Sequence, residues 1–299
     1  METRTINILF IVGVALLATS CVKDKLYDSI PPTNEGALIV TTDWAKRSPE
    51  ATIPENYVIR IGETEQTVTE KTNTFNEQFE PGKYMLMAYN TPENMTIDNN
   101  TASVKVLSDG TLNPMPGYLF GAAEKINVTA NKTQEVTLKM QQYTRELILT
   151  LKLNENDAAR ITQTDALLTG ITSAIDLTTG VSASQNGKNV KPEFKLAAVP
   201  QNKTRISTTG QNFSAALRLL GVEKEEENIL TLTFTLTDGS TQTIVTNLTK
   251  ALESFDTDIK SLQLEATLSL PTEGNFTSSV SGWIPGNGTS GENGNAEQE

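Results

Sequence analysis

The chain of 299 residues carries 24 lysines and arginines against 36 aspartates and glutamates, a formal net charge of -12, with one cysteine and no histidine. That charge speaks against nucleic acid as a partner, and the two counts exclude a disulfide framework, cysteine-based zinc, imidazole metal sites and any Ser-His-Asp or Cys-His catalytic group. Length sets an expectation of two domains, and abundant Thr, Val, Ile and Leu with 6 % aromatic residues favour pleated strands.

The first seven residues contain Arg4 and precede an apolar run over 8–18, of secretory-signal length and too short to span a bilayer comfortably. It ends in Leu17-Ala18-Thr19-Ser20-Cys21, which resembles the bacterial lipobox. In signals of that kind the chain is cut between Ser20 and Cys21, the Cys21 thiol receives a diacylglycerol, and the new amino terminus is acylated, palmitate being the usual chain. Residues 1–20 then form a lipoprotein signal peptide, and several acyl chains at ~0.8 kcal/mol per buried methylene hold Cys21 firmly to a membrane. The alternative is an ordinary secretory signal with an incidental cysteine. Residues 21–36 are polar and contain Pro31-Pro32, as a tether would. Within them Asp28-Ser29-Ile30 is similar to an Asp-(Ser/Thr)-apolar acceptor for bacterial O-glycosylation at Ser29, a short pattern that also arises by chance.

From Gly36 onward the pattern is of short strands bounded by Gly, Pro, Asn or Asp: residues 37–44, 56–62, 83–90, 102–107 and 134–140. Tyr57, Ile59 and Ile61 alternate with Val58 and Arg60, and Val136, Leu138 and Met140 with Thr137 and Lys139, which marks strands with one wet face. A second series starts at Thr144. It includes a hairpin in which Leu230, Leu232, Phe234 and Leu236 alternate with threonine up to an Asp238-Gly239 turn. A helix is expected over 250–255 with Thr249 as its cap, and the charged run 222–228 reads as a solvated loop. The fold class expected is all-β: a β-sandwich over 37–142, a second over 143–284, and a disordered tail over 285–299.

Nucleotide-binding and calcium loops are missing from the sequence, so no cofactor or metal site is expected. Paired carboxylates without a supporting motif leave glycoside hydrolysis as a weak alternative. Trp44 and Trp283 could stack on a ligand, but core or edge packing is the commoner use. Lys46-Arg47 lies in a Pro-containing connection between the first two strands. It is either a solvated loop or a protease-processing loop whose cleavage would free the first strand and open a groove.

The lipobox, the tether, the first strand with its basic loop, residues 117–128 leading into residues 136–153, and residues 161–180, 213–221 and 230–249 resemble the fimbrillin superfamily of Bacteroidales. The similarity covers most of residues 36–284. It implies two tandem transthyretin-like Greek-key β-sandwiches and a non-enzymatic lipoprotein exposed on the outer membrane as a structural or adhesive fimbrial subunit. In polymerising members an arginine-specific protease releases the first strand and a neighbour's carboxy-terminal strand replaces it; here the cut would follow Arg47. The partners implied are other fimbrial subunits or a second copy, joined by β-strand addition, and a surface receptor. After Trp283 the residues are mainly Gly, Asn, Ser and Glu, with no alternating apolar strand to donate, which suits a tip or anchor better than a stalk unit. The competing reading is a non-polymerising surface lipoprotein that captures glycans or peptides.

Overall fold

The computed structural model describes residues 34–197, 211–271 and 278–286; Ser20, Cys21 and Ser29 lie outside the described residues. The fold is all-β. Nine strands come from the first half: β1 (Ala37–Lys46), β2 (Tyr57–Ile61), β3 (Thr64–Val68), β4 (Thr72–Thr74), β5 (Gly82–Tyr89), β6 (Met95–Asp98), β7 (Thr101–Val104), β8 (Phe120–Val128) and β9 (Thr133–Gln142). Seven of them join in the order β3-β2-β5-β8-β9-β1-β4. β8 and β9 pair only through Phe120↔Gln142 and Gly121↔Gln141, so this sheet turns a corner there and closes over a core. Leu38, Val40 and Trp44 of β1 meet Ile59, Leu86, Phe120, Leu138 and Met140 in it. Alternation dictates this: Val136, Leu138 and Met140 are buried while Thr137 and Lys139 are exposed.

The second half supplies β10 (Arg145–Leu153), α1 (Glu155–Arg160), β11 (Ile161–Ile171), β12 (Ala174–Asp176), β13 (Lys188–Val190), β14 (Lys195–Ala197), β15 (Gln211–Leu219), β16 (Ile229–Leu236), β17 (Thr241–Asn247), α2 (Thr249–Leu252) and β18 (Leu262–Ser269). One sheet runs β14-β15-β10-β18, with the short strands β19 (Ser279–Val280) and β20 (Ile284–Pro285) both paired to β18, and the other runs β13-β11-β16-β17. Between them lie Leu147, Leu149, Leu151, Leu217 and Leu264 with Leu168, Leu230, Leu232 and Phe234. A third sheet, β12-β7-β6, joins the two halves, with Ile175 opposite Ala102. Met95, Ala102, Val104, Leu112 and Leu119 therefore belong to the larger core although they precede β8.

Each body closes by a parallel pair: β1 on β9 in the first, β10 on β18 in the second. The Asp238-Gly239 turn forms as the sequence implies, with Gly239 at φ 82° and the Asp238 carboxylate accepting from the Ser240 amide and hydroxyl at 2.9 and 2.6 Å. Thr249 does not cap a helix over 250–255. α2 stops at Leu252, a 3-10 turn follows (Phe255–Thr257), and the Thr249 hydroxyl accepts from the buried Asn228 amide at 2.9 Å. A buried N–H requires an acceptor, and that demand overrides the local capping preference. The charged run 222–228 is also more tied down than a solvated loop: Glu223 accepts from Ser182 Oγ at 2.8 Å and Glu226 from the Gly187 amide at 2.7 Å.

Candidate functional site

β1 is the first element of the described fold, yet it is an interior strand. On one side it runs parallel to β9, with Leu38↔Gln134 through Asp43↔Lys139; on the other, Ile39, Val40 and Thr41 pair antiparallel with Thr74, Asn73 and Thr72 of β4. Its inward side chains are Leu38, Val40, Thr42 and Trp44. Thr42 is fully buried and its hydroxyl accepts from Trp44 Nε1 at 2.9 Å and lies 3.0 Å from Tyr57 Oη. The Trp44 ring meets Tyr57 and Phe120 edge-on, each at 5.4 Å between centroids. Trp44 is thus core packing, the commoner of its two sequence readings. Loss of β1 would uncover a ladder edge on both β9 and β4 and empty the Leu38, Val40 and Trp44 seats, the geometry into which an added strand docks.

Lys46 closes β1 opposite Gln141, and Arg47 stands exposed at the bend that follows. The next residue behaves differently: Ser48 is fully buried, and its amide donates to Gln142 Oε1 at 2.8 Å. Gln142 Nε2 donates in turn to the Thr144 carbonyl at 2.8 Å, at the junction of β9 and β10. The connection expected to be exposed is therefore exposed at the basic pair and fastened immediately after it. The sequence carries no signal for this, since Ser48 and Gln142 are 94 residues apart.

Lys46 also lines an open cleft of about 950 Å³ between the two bodies, with Tyr143, Arg145, Asn186, Phe255 and Asp256. Arg145 is buried. Its Nε donates to the Lys260 carbonyl and its Nη1 to the Ser254 carbonyl at 3.2 Å, while the guanidinium lies 4.8 Å over the Phe255 ring. Burial pushes the Asp256 carboxyl above its ordinary 3.8, against the Val222 amide and the Lys224 and Arg145 charges that lower it. A raised carboxyl favours the folded state while protonated, and that advantage is lost as pH rises through the folded value. Asp256→Asn is accordingly expected to gain stability relative to the parent as pH rises from below 3.8 to neutrality, read as a urea midpoint difference at the two ends. A difference that is flat with pH would show that the carboxyl does not sense its burial.

Among the described residues no three Asp, Glu, His or Cys side chains gather as ligands for a metal, and no helix is long and apolar enough to cross a membrane. Among the described residues the exposed large apolar side chains, such as Val106, Met115, Val181 and Val245, include no aromatic, while Tyr84, Tyr118, Phe213 and Trp283 are partly exposed. Trp283 is partly buried against the larger core, and its indole N–H finds no acceptor among the described residues.

Among solved structures the chain is similar to a candidate adhesin from Bacteroides ovatus, with TM-score 0.59 and 10 % identity over 86 % of this chain and 96 % of that one. It is also similar to the fimbrial anchor protein Mfa2 from Porphyromonas gingivalis, with TM-score 0.57 and 11 % identity over 84 % and 97 %. A candidate adhesin from Bacteroides thetaiotaomicron gives TM-score 0.56 and 12 % identity over 82 % and 95 %. No curated protein matches the chain. At such identities the structural likeness establishes the fold alone. The family profile of fimbrillin-A associated anchor proteins Mfa1 and Mfa2 matches residues 37–289, and the chain belongs to that family.

Proposed function

We propose that the protein is a non-enzymatic fimbrial subunit of terminal type, at tip or anchor, held in the outer membrane through lipid on Cys21 and exposed at the cell surface. Family membership supports a fimbrial or adhesin-like role in association with other subunits. The tether carries Ser29 as a candidate glycosylation site, and two sandwich units follow it, dividing near residue 142, with β6 and β7 packed on the second. Assembly proceeds by strand exchange: β1 is displaced after a cut at Arg47, and a strand from a neighbour takes its seats. The observation that carries this reading is the placement of β1, the first strand of the described residues yet flanked by β9 and β4 and supplying Leu38, Val40 and Trp44 to the core.

Two measurements test the two halves of the proposal. Cys21→Ala is expected to move the protein from the membrane fraction to the soluble fraction; retention in the membrane would remove the lipid anchor. Treatment of the mature chain with a trypsin-like protease is expected to cut after Lys46 or Arg47 and yield a product that accepts a donor strand. A cut chain that stays folded and accepts none would remove strand exchange while leaving family membership untouched.

A further inference from the structure

The loop behind Arg47 is attached to the second body as well as to the junction. Glu50 Oε1 accepts from Ser261 Oγ at 2.5 Å, across 211 residues of chain, and Ser261 lies immediately before β18. The same hydroxyl is 3.4 Å from Glu146 Oε2. Glu146 is itself fixed: its Oε1 accepts from Arg218 Nη2 and from Tyr118 Oη, both at 3.0 Å, and the Arg218 guanidinium covers the Tyr118 ring at 3.7 Å. Ser261 thus sits beside a hydrogen-bonded pair of the second body, Glu146 and Arg218, which Tyr118 from the first core joins, and it donates to the carboxylate of Glu50. Between that contact and the basic pair lie Ser48, bonded to Gln142, and the turn closed by the Ala51 amide on the Ser48 carbonyl at 3.1 Å.

A protease needs several residues on each side of the scissile bond in extended form. Arg47 is accessible, but Ser48 is fully buried and Ala51 is only 3 % exposed. Cleavage after Arg47 therefore waits on local opening of residues 48–51, and its rate follows the population of the open loop.

We propose that Glu50 and Ser261 form a latch through which the second body holds the processing loop closed and so limits cleavage after Arg47. This rests on the reading that Arg47 is a processing site, and it adds that the second body regulates that site. Such a latch would let any event that displaces Ser261, such as docking of another subunit on the start of β18, license release of β1.

The test is limited proteolysis of the full mature chain with a trypsin-like protease, with fragments identified by mass. Glu50→Ala and Ser261→Ala both remove the hydrogen bond between these two side chains, and each is expected to speed the cut after Arg47 by roughly tenfold. The double variant is expected to be no faster than the faster single one, because both remove the same contact. Lys191→Ala, which removes an exposed ion pair to Asp109 far from the loop, serves as the control and should leave the rate unchanged. If the parent is cut after Arg47 and the latch variants are cut at the same rate, the latch is overturned and the processing site stands. If no variant is cut there while other sites are, the processing reading falls and the latch with it. Urea midpoints within error of the parent would show that faster cutting reflects the loop rather than global unfolding.

Discussion

Trp44→Ala is expected to destabilise the first body by about 3 to 5 kcal/mol, the range for truncating a buried large aromatic residue. The side chain is 8 % exposed and packs edge-on against both Tyr57 and Phe120 at 5.4 Å, so truncation leaves a void that two rings on different strands cannot close together. It also removes the donor to the fully buried Thr42 hydroxyl, which retains Tyr57 Oη and the Lys71 carbonyl at 3.0 and 3.3 Å. Trp44→Phe separates the two contributions, since it keeps most of the packing and loses the indole N–H, at a cost of about 1 to 2 kcal/mol. The measurement is urea unfolding. The chain has only two tryptophans, and Trp283 packs against the other core, so its fluorescence in the Trp44→Ala protein reports the second body. The far-UV transition should broaden or split to lower urea while the Trp283 transition moves less. A shift below about 1 kcal/mol would mean that β1 is not seated in a packed core, and strand exchange would lose its energetic basis.

The parts of this fold that could be read in the sequence are those in which neighbouring residues decide the outcome. Tyr57, Ile59 and Ile61 are buried with Val58 and Arg60 only partly so, and Leu230, Leu232, Phe234 and Leu236 face the core up to the Asp238-Gly239 turn. Period-two alternation is a local property and survives whatever the partner strand turns out to be. What could not be read depends on distant partners. The pairing of β7 with β12 places Ala102 opposite Ile175, and nothing in either short segment specifies the other. The same holds for Ser48 with Gln142 and for Glu50 with Ser261, polar contacts of long sequence separation at the candidate site itself. One further local signal lies in the sequence itself. Asn154, three residues before Asp157, caps α1 through its side chain, which accepts from the Asp157 amide at 2.8 Å. The expected Thr249 cap does not form for the opposite reason, because the buried amide of Asn228, just before β16, takes the hydroxyl.

A peptide with the sequence of β1, ALIVTTDWAK, is expected to bind the chain that has been cut after Arg47 and freed of its own strand, whereas a peptide of the same composition with the alternation inverted is expected to fail. The native order points Leu38, Val40, Thr42 and Trp44 inward. Burying each large apolar side chain contributes about 2 kcal/mol, and ladders on β9 and β4 satisfy backbone groups on both sides of much of the strand. Together the apolar burial and the two ladders must exceed an association cost of at least ~4 kcal/mol, and binding of the native-order peptide is the expected result. Inversion changes neither length, charge nor composition. It moves Ile39, Thr41 and Asp43 to the inner face, because the side-chain period of a strand is two. Ile39 could be accommodated, but the Asp43 carboxylate would enter the seat beside Tyr57 and Phe120 without a cationic partner. Burying an unpaired charge costs several kcal/mol, so the inverted peptide should bind at least about a hundredfold more weakly. Isothermal titration with both peptides gives the comparison directly. Equal affinities would show that the vacated groove recognises only backbone or bulk hydrophobicity. A neighbouring subunit's strand could not then be selected by its alternation, and β1 would be better understood as a permanent part of the sheet.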